Sequence, residues 1–202
     1  MNAQLVQAKL YAHLKLHSGL EPKRAYLGMS GIANCARRQY LDFVAGKSDL
    51  SLNAHLGCYV GYMFERDTLL RLDAAGIRLN IAHREVVADF DPRFRGHVDA
   101  ETVDGDLVEI KSANANKFLQ VSQQSRALMS HYLQVQAYLR YGPWDHALLI
   151  YINRDTFEHR VLDIARSERH GAQVQDKAQY ILSSIDTRTP PSCTCGKCPQ
   201  GL

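Results

Sequence analysis

Gly96-His97-Val98-Asp99 is followed, ten residues beyond Asp99, by Glu109-Ile110-Lys111. An acid on one strand and an acid-x-lysine on the next form a set that can hold a divalent cation against a phosphodiester. Two carboxylates a few ångströms apart repel each other, and a bound Mg²⁺ or Mn²⁺ relieves that repulsion. Such an ion polarises a phosphate and acidifies a water, while a nearby ammonium neutralises developing charge. Asp104-Gly105 lies between two runs rich in Val, Leu and Ile, which signals a hairpin. Side chains alternate along a strand, so Glu109 and Lys111 share a face and Ile110 points into the core. A strict two-residue loop at Asp104-Gly105 would pair Asp99 with Ile110 and part the acids. The chemistry therefore requires an odd-numbered loop or a bulge near Gly105, because a one-residue slip turns every side chain over. Taken alone, the spacing fits an exposed hairpin with ordinary surface charges equally well.

The elements around the hairpin carry further candidates. A helix-like run from about Ala54 to Ala75 places Leu56, Val60, Phe64 and Leu69 near one face, and its Gly61-x-x-x-Glu65 sets an acid one turn after a small residue. Glycine inside a helix costs about 1 kcal/mol relative to alanine, so Gly57 and Gly61 predict close packing against another backbone. Downstream, Gln134 and Tyr138 share a face of a helix over about 129–141, with His131 one turn earlier. Alone, that pair reads as a solvent face with an interfacial tyrosine.

In order, G-x-x-x-E, G-H-x-D, E-I-K and Q-x-x-x-Y resemble the RecB-like branch of the PD-(D/E)XK nucleases, from about Ser30 to the C-terminus. That branch includes exonuclease domains of recombination helicases, phage exonucleases and the Cas-four nucleases of CRISPR adaptation. The resemblance implies that Glu65, Asp99, Glu109 and the Ile110 carbonyl coordinate Mg²⁺ or Mn²⁺. It further implies that Lys111 is the catalytic lysine, and that Gln134 and Tyr138 position the lysine or the DNA strand. Many members carry histidine where Glu65 stands; glutamate suits a hard cation and favours the phage or recombination exonuclease type. His97 is expected to serve the motif's packing rather than the metal.

There are five cysteines: Cys35, Cys58, Cys193, Cys195 and Cys198. No signal peptide or long apolar segment is apparent, so the expected compartment is the cytoplasm of a bacterial cell or phage-infected host, with no membrane partner, where structural disulfides are rare. Cys193, Cys195 and Cys198 then read as metal ligands, with Cys35 as the fourth. Ser30 to Tyr40 reads as an N-capped helix carrying Cys35 one turn in. Iron–sulfur nucleases of the same branch place one cysteine before the core and three after it, around a [4Fe–4S] cluster. Here C-x-C-x2-C is tighter than the family's usual spacing, and spacing leaves a cluster and Zn²⁺ open. The resemblance favours the cluster, in a structural role. Cys58, on the 54–75 helix, is expected to be a small buried apolar residue.

At 202 residues and 46% hydrophobic content the chain suits a single domain over 1–202, with N-terminal helices (1–45) and a C-terminal cysteine tail (187–202) closing the metal site. A net charge of +3 announces no global basic field, so a nucleic acid would need a local groove, for which Arg37, Arg38, Lys117, Arg126 and Arg140 are candidates. Helices are expected over about 2–17 (ending near Gly19), 30–44, 54–75 (with Gly76 as C-cap), 114–127, 129–141 and 166–186. Strands are expected over about 78–89, 95–103, 106–112, 145–153 and 157–163. The pattern is α/β: a central mixed sheet flanked by helices, the layout of a PD-(D/E)XK, restriction-endonuclease-like core. The function expected is a DNA exonuclease acting on single strands or ends, with a recombination or CRISPR-adaptation protein as a possible partner. The competing reading is a non-catalytic DNA-binding or assembly subunit of the same fold. A ribonuclease stays open, since nothing reads the 2′-hydroxyl.

Overall fold

Residues 107–113 and 146–153 are short runs rich in Val, Leu, Ile and Ala, and they form the parallel central pair of the sheet. The computed structural model describes residues 2–18, 25–45, 52–80 and 83–198. In chain order its elements are α1 (Ala3–Ser18), β1 (Leu27–Gly28), a 3-10 turn (Met29–Gly31), α2 (Ala36–Val44), α3 (Leu52–Ala74), β2 (Leu79–Asn80), β3 (Glu85–Val87), β4 (Phe94–His97) and β5 (Ala100–Thr102). They continue with β6 (Leu107–Ala113), α4 (Ala115–Gln124), α5 (Met129–Tyr141), β7 (His146–Asn153), β8 (His159–Ala165) and α6 (Glu168–Asp186). Among the described residues a five-stranded sheet runs β2-β5-β6-β7-β8 and a smaller one runs β1-β4-β3. Only β6 and β7 are parallel in the larger sheet, joined through α4 and α5.

Helices cover both faces of that sheet. Leu107, Leu149, Tyr151 and Leu162 pack with Val135 and Leu139 of α5 and with Val174, Ala178 and Ile181 of α6. The alternate residues Val108, Ile110, Ile150 and Ile152 point the other way, into a smaller cluster with Leu69 of α3. This is the expected mixed sheet flanked by helices, with Ile110 in the core. Gly76 closes α3 at φ +84, and the Ile77 N–H reaches back to the Leu72 carbonyl at 3.0 Å.

Several expectations need correction. The strand over 95–103 breaks at Val98-Asp99, so that β4 belongs to the small sheet and β5 to the large one. The span 78–89 divides into β2 and β3 for the same reason, with residues 81–82 outside the described set. The expected end of α1 near Gly19 also lies outside it. Helix α2 begins at Ala36 rather than Ser30, and Cys35 is its N-cap residue, at the mouth of the helix. The Gln39 side chain holds the preceding turn out of the helix by donating to the carbonyls of Ile32 (3.4 Å) and Asn34 (3.1 Å). Cys58 is exposed, and Gly57 faces open space. Among the described side chains of α3 the buried ones, Thr68 and Leu69, lie in its second half, while Tyr59, Tyr62 and Met63 are exposed near Cys58. A Cβ at Gly61 would meet Ser112 Oγ at 3.9 Å, an ordinary contact. No described helix is long and apolar enough to cross a membrane.

Candidate active site and cysteine centre

The β5–β6 hairpin pairs Ala100 with Val108 and Glu101 with Leu107. One step further, this register sets Asp99 across from Glu109. The Thr102 N–H donates to the Asp106 carbonyl at 2.8 Å, leaving Val103, Asp104 and Gly105 as the loop, with Gly105 at φ +98. The loop is odd-numbered, as the chemistry required. At the break between the sheets, Asp99 Oδ2 accepts the Ile110 N–H at 2.6 Å, which fixes the acid against β6.

Glu109 sits on the α5 side of β6 and is 1% exposed. Its Oε1 accepts from Gln134 Nε2 at 2.7 Å and pairs with Lys111 Nζ at 2.5 Å. The same Gln134 amide donates to the Tyr138 hydroxyl at 3.2 Å, which in turn donates to the His97 carbonyl at 2.8 Å. Gln134 and Tyr138 are therefore buried parts of one network, not a solvent face. Gly96 makes room for it: a Cβ there would stand 2.9 Å from Tyr138 Cε1 and 3.1 Å from Met29 Cβ. His97 contributes its carbonyl, while its imidazole is exposed beside Glu85.

Among the described residues Glu109 Oε2 is buried with no hydrogen-bond partner. An orphaned oxygen of this kind costs about 1–3 kcal/mol, and more when charged. Burial, and then the Asp99 carboxylate, push Glu109 well above the usual carboxylate range. Burial and then Glu65 raise Asp99, and burial and then Glu109 raise Glu65. Burial pulls the Lys111 ammonium down, but Glu109, Asp99 and Glu65 outweigh it and hold it above its ordinary value. Three acids thus share one lysine, with one acid oxygen left unsatisfied. That donor set fits a hard divalent cation.

Tyr151 was not singled out by the sequence, and His131 was noted only for its place one turn before Gln134. Tyr151 pairs with Lys111 across β6–β7, and its hydroxyl lies 2.8 Å from His131 Nδ1 while accepting the Leu128 N–H at 3.1 Å. Burial, then Lys111 and Lys117, bring His131 down to about 4, so the ring is neutral at pH 7. The available signal was one tyrosine inside the apolar run 147–152. Among the five candidate groove cations, the Lys117 charge acts on His131. Arg38 pairs with Asp42 (3.0 Å), Arg37 donates to the Pro191 carbonyl (3.2 Å), and Arg140 joins α5 to Gln175 and Glu168 of α6. Arg126 is exposed between α4 and α5.

The four cysteines do meet. Cys35, Cys193, Cys195 and Cys198 offer sulfurs that all lie within 4.8 Å of one another. Successive sulfurs are 3.7 Å (Cys193–Cys195), 3.5 Å (Cys195–Cys198) and 3.8 Å (Cys198–Cys35) apart. Burial raises the Cys35 thiol, but the Thr194 amide and hydroxyl and the amides of Arg38 and Arg37 more than offset it, bringing it to about 5. A thiolate-ready cysteine among three others fits a thiophilic metal. Four thiolates on one tetrahedral zinc, at Zn–S near 2.3 Å, stand about 3.8 Å apart. The four on a cubane each bind a different iron and stand farther apart.

The sequence matches no protein-family model and no curated protein. The fold does find similar solved structures. An alkaline exonuclease from Laribacter hongkongensis superimposes with a TM-score of 0.66 at 12% identity, over 83% of this chain and 91% of that one. The same protein in complex with dAMP gives 0.67 at 13% identity, over 82% and 90%. A phage-related exonuclease from Haemophilus somnus gives 0.58 at 11% identity, over 81% and 94%. These likenesses show that the chain shares its fold with those exonucleases.

Proposed function

We propose that this chain is a metal-dependent deoxyribonuclease, an exonuclease working on single strands or DNA ends. The buried Glu109, with one oxygen held by Lys111 and Gln134 and the other unsatisfied, carries the reading. That site lies in a fold shared with exonucleases, one of them solved with dAMP. Glu65, Asp99, Glu109 and the Ile110 carbonyl would hold Mg²⁺ or Mn²⁺. When bound, such an ion supplies charge against the phosphate and a more acidic water.

The chain's own residues supply the rest. Lys111, kept protonated by the acids around it, offers an ammonium to charge developing on the phosphoryl oxygens. Gln134 fixes the Glu109 rotamer, and Tyr138 fixes Gln134 through the His97 carbonyl, so the carboxylate is aimed before substrate arrives. Apolar walls on both faces of β6 lower the local dielectric and strengthen these interactions.

The cysteine centre is proposed to be structural, tying α2 to the C-terminal tail. Family resemblance points to [4Fe–4S], whereas the sulfur spacing favours one tetrahedral Zn²⁺. Iron and zinc content with the visible spectrum of anaerobically purified protein separates the two. The activity is tested with end-labelled single-stranded DNA, duplex DNA and RNA, each with Mn²⁺, Mg²⁺ or EDTA. Metal-dependent shortening of DNA from an end supports the reading. DNA bound but uncut by metal-loaded protein moves the function to a binding subunit, and preference for RNA moves it to a ribonuclease.

A further inference from the structure

The turn between β7 and β8 carries an exposed aromatic in an unfavourable backbone conformation. Phe157 adopts φ +63, the left-handed region that suits glycine or asparagine and is an outlier for a bulky residue. The residue is 63% exposed, so burial does little to offset that cost. The backbone around it is firmly held. The Phe157 N–H donates to the Asn153 carbonyl at 2.8 Å, and the Asn153 N–H to the Glu158 carbonyl at 2.9 Å. The Arg154 N–H donates to the carbonyl of Ala113, the last residue of β6, at 2.8 Å. Asp155 accepts the Ala115 N–H at 3.0 Å, and Glu158 accepts the Thr156 hydroxyl at 2.7 Å, so both acids of the turn are engaged.

The turn is thus anchored to the end of the strand that carries Glu109 and Lys111. On its other side, Phe157 meets Phe64 with ring centroids 5.6 Å apart and planes at 40°. Phe64 immediately precedes Glu65 on α3. An exposed ring backed by a second ring therefore stands between α3 and the end of β6, the second ring one residue before Glu65.

We propose that Phe157, backed by Phe64, is a stacking platform for an unpaired nucleobase of the DNA strand whose phosphate reaches the acids. The inference rests on the nuclease reading above. Every base has a π-face, so such a platform accepts any sequence but requires an unpaired base. It favours single strands and frayed ends over blunt duplex.

The test is binding of an oligodeoxynucleotide of about twelve residues carrying 2-aminopurine, without added divalent ions so that nothing is cut. Wild type should quench the fluorophore. Phe157→Gly should lose that quench and bind about 5- to 100-fold more weakly, the loss typical of one stacked base. Phe157→Tyr should keep both. Glycine relieves the backbone at this position while the Phe64 contact is lost, and the two effects are of similar size. The Phe157→Gly melting temperature should therefore stay close to wild type, which separates lost stacking from lost fold. Unchanged affinity and quench in Phe157→Gly would overturn the platform and leave the nuclease reading standing. Phe157-dependent quench in a protein that cuts nothing when metal is added would support the platform and remove the catalytic reading. A wild type that binds no oligonucleotide either without divalent ions or with Ca²⁺ would overturn both.

Discussion

The acid pocket and the cysteine centre both gather ionisable groups, and they do so by opposite means. In the pocket, strand register and a covered sheet force Asp99, Glu109 and Lys111 together, whatever their charges prefer. In the centre, Cys35 at a helix mouth meets three thiols from a tail whose members range from buried Cys198 to exposed Cys195. Packing dictates the first arrangement, and a shared ligand suits the second. The fold should therefore tolerate loss of pocket chemistry far better than loss of the centre, and the reverse should hold for catalysis.

Substitutions can break that contrast, beginning with the largest effect. Glu109→Gln should lower the rate of DNA cleavage by about 10²–10³-fold, since a charge aimed at the reacting centre is lost. Its melting temperature without metal should rise, because a raised-pKa buried carboxylate has been replaced by a neutral isostere. A fall in both would mean that the pocket holds the fold together. Cys198→Ser should cost about 3–5 kcal/mol in denaturant unfolding, the scale for removing a cross-link that closes a long loop. It should also release the bound metal, whereas retained metal and stability would show that the centre is not a staple.

Gly96→Ala should cost about 1–3 kcal/mol, because the new methyl group meets Tyr138 and Met29 and nothing there is free to give way. Calorimetry would read the loss, and kcat should fall with it as the Tyr138–Gln134–Glu109 chain shifts. The pH response follows from the raised carboxylates. Asp99 and Glu109 bind protons more tightly folded than unfolded, so their contribution is present below the ordinary carboxylate range and is lost as pH rises. Without divalent metal the melting temperature should drop from pH 5 toward pH 8. Added Mn²⁺ should raise it more at pH 8, where fewer protons compete for the acids. Cys58→Ser should change stability by less than about 0.5 kcal/mol, as for other exposed positions.

Much of this could be read before any coordinates. The α5 boundaries, the sheet with helices on both faces and the odd-numbered loop at Gly105 all follow from periodicity and the demand that two acids share a face. Cys35 could be matched to the tail because its distance along the chain does not matter to a metal ligand. Other features depend on tertiary context that no local pattern encodes. Val98-Asp99 has strand-like neighbours, yet the chain passes between two sheets there. Cys58 sits on a largely apolar helix, yet among the described residues the buried part of α3 lies a few turns further on. The orphaned Glu109 oxygen and the Phe157 turn are matters of atoms and angles, and a sequence shows neither.

Lys111 is where the proposal is most exposed. Cleavage of end-labelled single-stranded DNA with Mn²⁺ should be compared between wild type and Lys111→Ala, each checked for folding and for metal at the cysteine centre. We expect wild type to shorten the strand from one end only when Mn²⁺ is present, and the variant to lose at least about 100-fold in rate while staying folded. Equal cutting by the two proteins would place the active site elsewhere and contradict the assignment.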